Sequence, residues 1–128
     1  MEQGITCQKP WGEYTDFFRS PECTMKVLII KEGEQISYQK HEKRGEFWFI
    51  TQGNPVLKLS VSPDNPLVEF TQSVLTEKST IEIPAHWWHQ LTAPEGGGDV
   101  IICEMQFGEC SEDDIERVDY PYEKTVHR

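Results

Sequence analysis

The sequence predicts an all-β fold, an antiparallel sandwich or barrel built as one domain. Short apolar runs of strand length recur at regular spacing between Met25 and Phe107. Turn-forming residues separate them: Gly33, Gly53-Asn54-Pro55, Pro63-Asp64-Asn65-Pro66, Pro84 and Pro94-Glu95-Gly96-Gly97-Gly98. Only one short stretch, near the C-terminal end, carries helix signals. Many short strands punctuated in this way suit a stacked or closed antiparallel sheet.

The elements follow in order. Met25 to Ile30 is a strand-like run, and Gln35 to His41, Glu46 to Gln52 and Val56 to Val61 come after it. Leu67 to Leu75 holds another strand, Ser79 to Ile83 a short one and His89 to Thr92 the next. Val100 to Phe107 is the last long run. Ser111 to Arg117 reads as a short helix, with Ser111 as N-cap and Asp113 and Asp114 favourable to the dipole of its first turn. A chain of 128 residues is expected to form one domain, residues 1–128, with a core that needs no disulfides.

Composition narrows the partners. A formal charge of −10 argues against nucleic acid or an anionic membrane. No apolar run approaches the roughly 20 residues of a membrane span. Cys7, Cys23, Cys103 and Cys110 show no Cys-x-x-Cys spacing, and the first residues, Met1-Glu2-Gln3-Gly4, are polar. Free thiols in a reducing cytoplasm are the expectation.

Function is carried by four residues. Gln39, His41 and Glu46 lie between Gly33 and Gly53, and His89 follows in Ile83-Pro84-Ala85-His86-Trp87-Trp88-His89. Residues i and i+2 of a strand share a face, so Gln39 and His41 project together. Glu46 opens the next run, after the polar turn Glu42-Lys43-Arg44-Gly45. The expected hairpin brings Gln39, His41 and Glu46 near one point, and His89 arrives from another strand. Two imidazoles, a carboxylate and an amide oxygen suit Zn, Mn, Fe or Co better than Ca or Mg. Gln39 is the weakest donor and would otherwise only hydrogen-bond a ligand.

Other residues gather around this set. Lys40, Lys43 and Arg44 form a basic cluster in an acidic chain, either an anion-binding rim or a solvated turn. Arg44 and Arg117 are the better phosphate candidates, because a guanidinium binds phosphate through two hydrogen bonds. His86 reads as an acid/base, a partner of a ligand or a surface residue. Glu104 and Gln106 alternate with Val100 and Ile102, so they are expected to line the pocket. Trp48 is expected in the core, while Trp87 and Trp88 fit either core or sugar stacking.

These residues resemble the cupin superfamily. Its first motif runs Gly, five residues, His-x-His, three or four residues, Glu, six residues, Gly; its second contains Pro-x-Gly, two residues, His. Here Gln39 takes the place of the first histidine and His86 that of the second motif's glycine. The glutamine is similar to the Gln, His, Glu, His metal set of phosphomannose isomerases. Lys9-Pro10-Trp11-Gly12-Glu13-Tyr14 resembles the Arg-Pro-Trp-Gly-x-Tyr that opens the isomerase domain of the type II enzymes, which combine mannose-1-phosphate guanylyltransferase and mannose-6-phosphate isomerase. Ser37 to Trp48 is similar to that family's Ser-Leu-Gln-x-His-x-His-Arg-x-Glu-His-Trp. Glu104-Met105-Gln106-Phe107-Gly108 and Glu112-Asp113-Asp114-Ile115-Glu116-Arg117 are similar to Glu-Val-Gln-x-Gly and Glu-Asp-Asp-Ile-x-Arg. The likeness runs from about Lys9 to Tyr120. Lys43 and Phe47 stand where the family has histidine, and Ser60 to Thr71 has no counterpart.

The resemblance implies a cupin-type jelly-roll β-barrel with a short C-terminal helical segment. It implies one divalent metal, zinc first, on Gln39, His41, Glu46 and His89. The implied activity is aldose–ketose isomerisation of a sugar phosphate, most simply mannose 6-phosphate to fructose 6-phosphate through a cis-enediol. His86 or Lys43 would act as base, Arg117 would hold the phosphate or enediolate with help from Arg44, and Glu104 and Gln106 would contact substrate. The alternatives are a non-catalytic sugar or sugar-phosphate binding cupin and, further off, a cupin dioxygenase. Guanylyl transfer is not expected, since no glycine-rich nucleotidyltransferase loop occurs. A homodimer through exposed sheet edges is the expected assembly.

Overall fold

The computed structural model describes residues 4–111 and 113–118. Eleven strands are seen among them: β1 (Ile5–Lys9), β2 (Gly12–Arg19), β3 (Cys23–Ile30), β4 (Gln39–Lys40), β5 (Arg44–Gln52), β6 (Val56–Ser60), β7 (Thr71–Val74), β8 (Thr80–Ile83), β9 (Trp88–Thr92), β10 (Val100–Gly108) and β11 (Glu116–Arg117). They form two antiparallel sheets, ordered β1-β2-β3-β10-β5-β8 and β11-β4-β9-β6-β7. This is the expected all-β jelly roll of the cupin type. No helix of the described residues is long and apolar enough to cross a membrane.

Register explains how the interior is divided. In the larger sheet, Gln106 stands opposite Glu46 and Thr24, and Glu104 opposite Trp48 and Lys26. Ile102 stands opposite Ile50 and Leu28, and Val100 opposite Ile30. All of these are buried. One end of the barrel is therefore filled by aliphatic side chains that join Trp11, Ile36, Leu57 and Leu91 in the core. The other end is lined by carboxylate, amide, hydroxyl and ammonium groups. Burying so many polar groups is costly unless they serve one another or a ligand. The functional end is thus set by which inward positions the sequence leaves polar.

Gly12 shows how tightly the entry strands are fitted. Its φ is +149°, and a Cβ there would lie 1.9 Å from the Ile29 carbonyl oxygen. Only glycine allows β2 to pass that close to β3.

Two expectations are corrected. Gln39–Lys40 and Arg44–Gln52 are not a hairpin: β4 pairs with β9 and β11, whereas β5 pairs with β10 and β8. The turn between them crosses from one sheet to the other. The C-terminal helix is also absent among the described residues, residue 112 of that stretch lying outside them. Ser111 Oγ does accept from Asp113 N at 3.2 Å, a local cap. The chain then leaves as strand β11, because Glu116 and Arg117 pair with Lys40 and Gln39. Asp114 serves another element, as described below.

Candidate metal centre

Gln39, His41, Glu46 and His89 meet inside the barrel. Gln39 and His89 are paired across β4 and β9 in the smaller sheet, and Glu46 faces them from β5 in the larger one. One ligand atom each from His41, Glu46 and His89 lies within 4.8 Å of the others, and all three residues are buried. Gln39 is fully buried and its Oε1 has no hydrogen-bond partner, while its Nε2 donates to the Ser37 carbonyl at 3.4 Å. The sheet crossing thus does what the expected hairpin was to do, by placing the donors on opposite walls.

The imidazoles are turned by backbone. His41 Nδ1–H donates to the Asp114 carbonyl at 2.6 Å, and His89 Nδ1–H to the Trp87 carbonyl at 3.0 Å. In the neutral tautomers that these bonds select, each Nε2 bears a lone pair. The lone pairs face Glu46: His41 Nε2 is 3.2 Å from Oε2 and His89 Nε2 is 3.5 Å from Oε1. At His41 the Arg44 guanidinium supplies a donor, but at His89 Nε2, which has no hydrogen-bond partner, the facing acceptors need a proton or a cation between them. Burial holds the His41 pKa below its ordinary value despite the nearby Glu46 carboxylate, so a proton is a costly filler. Burial pushes the Glu46 carboxyl up, but the charge that His89 and His41 carry when protonated, and the hydrogen bonds they then donate, outweigh it and keep the group well below the usual carboxylate range. With Gln39 Oε1 and His89 Nε2 both buried and unsatisfied, the residues fit a divalent ion with mixed N/O ligands.

The other candidate residues fall into two groups. Arg44 is buried beside the cluster: Nη2 is 3.3 Å from His41 Nε2 and 3.5 Å from Glu46 Oε2, and Nη1 donates to the Ser111 carbonyl at 3.2 Å. Arg117 stands directly opposite Gln39 and shares its face. Glu104 accepts from Trp48 Nε1 at 3.2 Å and Gln106 Nε2 at 2.6 Å, and Gln106 Oε1 is buried without a hydrogen-bond partner. Lys43 and His86 lie outside this interior. Both side chains are 64% exposed; Lys43 Nζ reaches Glu109 at 3.8 Å and His86 Nδ1 meets Glu42 at 2.9 Å. His86 has φ +76°, the left-handed conformation that favours the glycine it replaces. Trp48 is in the core and packs edge-on against His89 at 5.7 Å. Trp88 is buried on the far side of its sheet beside Tyr38, and Trp87 packs on the core.

Residues 1–120 match the family model described as mannose-6-phosphate isomerase C-terminal. The chain belongs to this family. It is 31% identical over 119 residues to the alginate biosynthesis protein AlgA of Pseudomonas aeruginosa, covering 92% of this chain and 23% of that protein. A mannose-1-phosphate guanylyltransferase of Sinorhizobium fredii is 30% identical over 114 residues, 88% of this chain and 20% of its own. The chain therefore spans less than a quarter of either relative. Among solved structures, the capsular polysaccharide assembling protein CapF of Staphylococcus aureus superposes with a TM-score of 0.78 at 15% identity, covering 92% of this chain and 35% of that one. At that identity the likeness is one of fold.

Within the family, the departures at positions 43 and 47 leave the candidate ligands untouched. Lys43 is in solvent, and Phe47 lies on the outer face of its sheet opposite Met105. Neither position directs a side chain at Gln39, His41, Glu46 or His89.

Asp114 is the functional residue that sequence reasoning missed. Its carboxylate accepts from the Glu42 and Lys43 N–H groups, both at 2.8 Å, while its carbonyl holds His41. Burial pushes its pKa up, but these two N–H groups outweigh it and hold it below the usual value. The sequence signal was the acidic Asp113-Asp114 pair, which local rules assign to a helix start. Asp114→Ala is expected to weaken metal binding about 10- to 100-fold, as loss of a ligand-orienting partner does. Asp114→Asn, which keeps one acceptor oxygen, should restore most of it. Chelator competition measures both, and equal affinity in Asp114→Ala and wild type would deny Asp114 this role.

Proposed function

We propose that the chain is a metal-dependent sugar-phosphate isomerase that interconverts mannose 6-phosphate and fructose 6-phosphate through a cis-enediol. The observation that carries this reading is the buried cluster of Gln39, His41, Glu46 and His89 with Arg44 against it. Membership of the mannose-6-phosphate isomerase C-terminal family supports the choice of substrate. A divalent ion on those four residues, zinc first and manganese, cobalt or iron after it, supplies Lewis acidity toward the carbonyl and neighbouring hydroxyl oxygens of an open-chain sugar.

The chain's own groups do the rest. Arg117 and Arg44 hold the phosphate or the charge that develops on the enediolate oxygens. Glu104 moves the proton from C2 to C1: it is buried on the inner face, and hydrogen bonds from Trp48 and Gln106 fix its orientation. Gln106 accepts a sugar hydroxyl through its unpartnered Oε1. His86 and Lys43 are the other candidates for the base, and their exposure argues for Glu104 over them.

The test is solvent deuterium exchange at C2 of mannose 6-phosphate with metal-loaded protein. Exchange is expected in the wild type and should fall at least about a hundredfold in Glu104→Gln with metal content unchanged, the usual weight of a general base. His86→Ala and Lys43→Ala should keep it. Arg117→Ala should weaken sugar-phosphate binding at least about tenfold more than binding of mannose, given roughly 1.5–3 kcal/mol for a charged hydrogen bond. Wild type that binds metal and sugar phosphate but shows no exchange would defeat the isomerase reading. A sugar-phosphate binding cupin would then stand, a reading favoured by lysine and phenylalanine at the two positions where the family motif has histidine.

A further inference from the structure

The proposed reaction leaves Asp16, Thr24 and Lys26 without a task. They stand on the inner wall of the larger sheet with Glu104 and Gln106. Lys26 is opposite both Asp16 and Glu104, and Thr24 is opposite Gln106. The Lys26 side chain is only 2% exposed, which is costly for an ammonium unless something inside uses it. Its Nζ is 3.9 Å from Asp16 Oδ1, too far for a hydrogen bond. Among the described residues, Asp16 Oδ1, Thr24 Oγ1 and Gln106 Oε1 are buried without a hydrogen-bond partner. The Cys110 thiol beside Thr24, kept protonated by burial, is a weak partner for it. Buried polar atoms left in this state call for a ligand to complete them.

The same groups are held in place. Asp16 Oδ2 is bound by Arg19 Nη2, which leaves Oδ1 on the Lys26 side. Lys26 Nζ lies 4.5 Å over the Tyr14 ring, whose face steadies the ammonium. The pairing of β2 with β3 slips between Asp16 and Phe18, an irregularity of the kind that re-aims a side chain beside a site.

We infer that Asp16, Thr24 and Lys26 form a subsite for the hydroxyl groups of a sugar beyond its reacting carbons, and that this subsite does not take the phosphate. The inference rests on the sugar-phosphate reading above. Reach is the first argument. Thr24, Gln106 and Glu46 occupy one row across three neighbouring strands, so the wall begins two strand spacings, roughly 10 Å, from the metal ligand. Side chains from both sides shorten that gap, and the carbon chain of a hexose bridges it. Hydrogen-bonding capacity is the second. Lys26 donates, Asp16 and Gln106 accept, and Thr24 does both; hydroxyl groups, which also do both, satisfy such a mixed set. A phosphate dianion offers acceptors only and would leave Asp16 and Gln106 unpaired. Charge is the third. Asp16 and Glu104 flank Lys26 with two carboxylates, which repel a phosphate but not a neutral hydroxyl. Arg44 and Arg117, on β5 and β11, remain the phosphate candidates.

The test compares two acyclic phosphates on zinc-loaded protein by calorimetry. Mannitol 1-phosphate carries the hydroxyls and hexyl phosphate lacks them. Wild type should prefer mannitol 1-phosphate at least about a hundredfold, as sites built around a hydroxyl do. Lys26→Met should cut that preference about tenfold or more, the loss of one charged hydrogen bond, and Thr24→Val about two- to tenfold. Metal contacts are common to all three proteins, so the change in preference reports the wall. Thr24→Val should also match or exceed wild type in urea stability, because the hydroxyl it removes has no strong protein hydrogen bond to lose. It strands no charge, so it decides even if Lys26→Met fails to fold. A Thr24→Val protein that is less stable with its preference intact would make the threonine structural and overturn the inference. So would a wild type without preference, or Lys26→Met weakening both ligands in parallel. Deuterium exchange at C2 separates this from the reading beneath it. Exchange in a protein whose preference neither variant changes sinks the subsite alone. A Lys26-dependent preference without exchange sinks the isomerase and leaves the subsite.

Discussion

In His41→Ala or His89→Ala, a divalent ion titrated into metal-free protein is expected to bind more than about a hundredfold more weakly than in wild type. Loss of a residue that merely orients a ligand costs about 10- to 100-fold, and these two residues offer the donor nitrogens themselves. Each variant removes one of the two Nε2 atoms that face Glu46 at 3.2 and 3.5 Å. Gln39→Ala should have a smaller effect, because a neutral amide oxygen is a poorer donor than imidazole and water can take its place. Metal binding should also weaken as pH falls, since protons compete for the same lone pairs. Zinc content by mass spectrometry and chelator competition check the series. Full occupancy in the His41→Ala/His89→Ala double variant would rule the cluster out as the metal centre.

How much of this was legible beforehand depends on whether a signal was local. The period-2 rule identified the inward residues: Glu104 and Gln106 do share a face with Val100 and Ile102, and all four are buried. It could not say which sheet a strand joins, so the Gln39–Glu46 segment read as a hairpin although it bridges two sheets. β1 and β2 passed unseen as strands because both alternate weakly and β1 is an edge strand. The helix expected at Ser111 had its cap, yet the Asp114 carboxylate is taken up by the turn at Glu42 and Lys43. A tertiary partner there overrides the local preference. The outer face of the larger sheet did leave a trace. Phe47 and Phe49 alternate with the inward Glu46, Trp48 and Ile50, so that strand is apolar on both sides.

The second large effect is on stability without metal. Glu46→Gln is expected to destabilise the metal-free protein by about 3–5 kcal/mol, the usual cost of removing one partner from a buried ion pair. Arg44 is the reason. Its side chain and that of Glu46 are each 3% exposed, and its Nη2 lies 3.5 Å from the carboxylate. Glutamine keeps the size of Glu46 but leaves the guanidinium hydrogen-bonded to a histidine nitrogen and the Ser111 carbonyl, with the more distant Asp114 carboxylate as its remaining counter-charge. The double variant Glu46→Gln/Arg44→Met removes the stranded charge as well and should recover most of the loss, because replacing both partners of a buried pair is often nearly neutral. Neither variant should bind metal as wild type does, since both lack the carboxylate. Urea unfolding of the metal-free wild type, Glu46→Gln, Arg44→Met and the double variant forms the double-mutant cycle. A coupling energy near zero would mean that Arg44 does not depend on Glu46 as counter-charge, and Arg44 would then be free to serve an incoming phosphate even before the metal is bound.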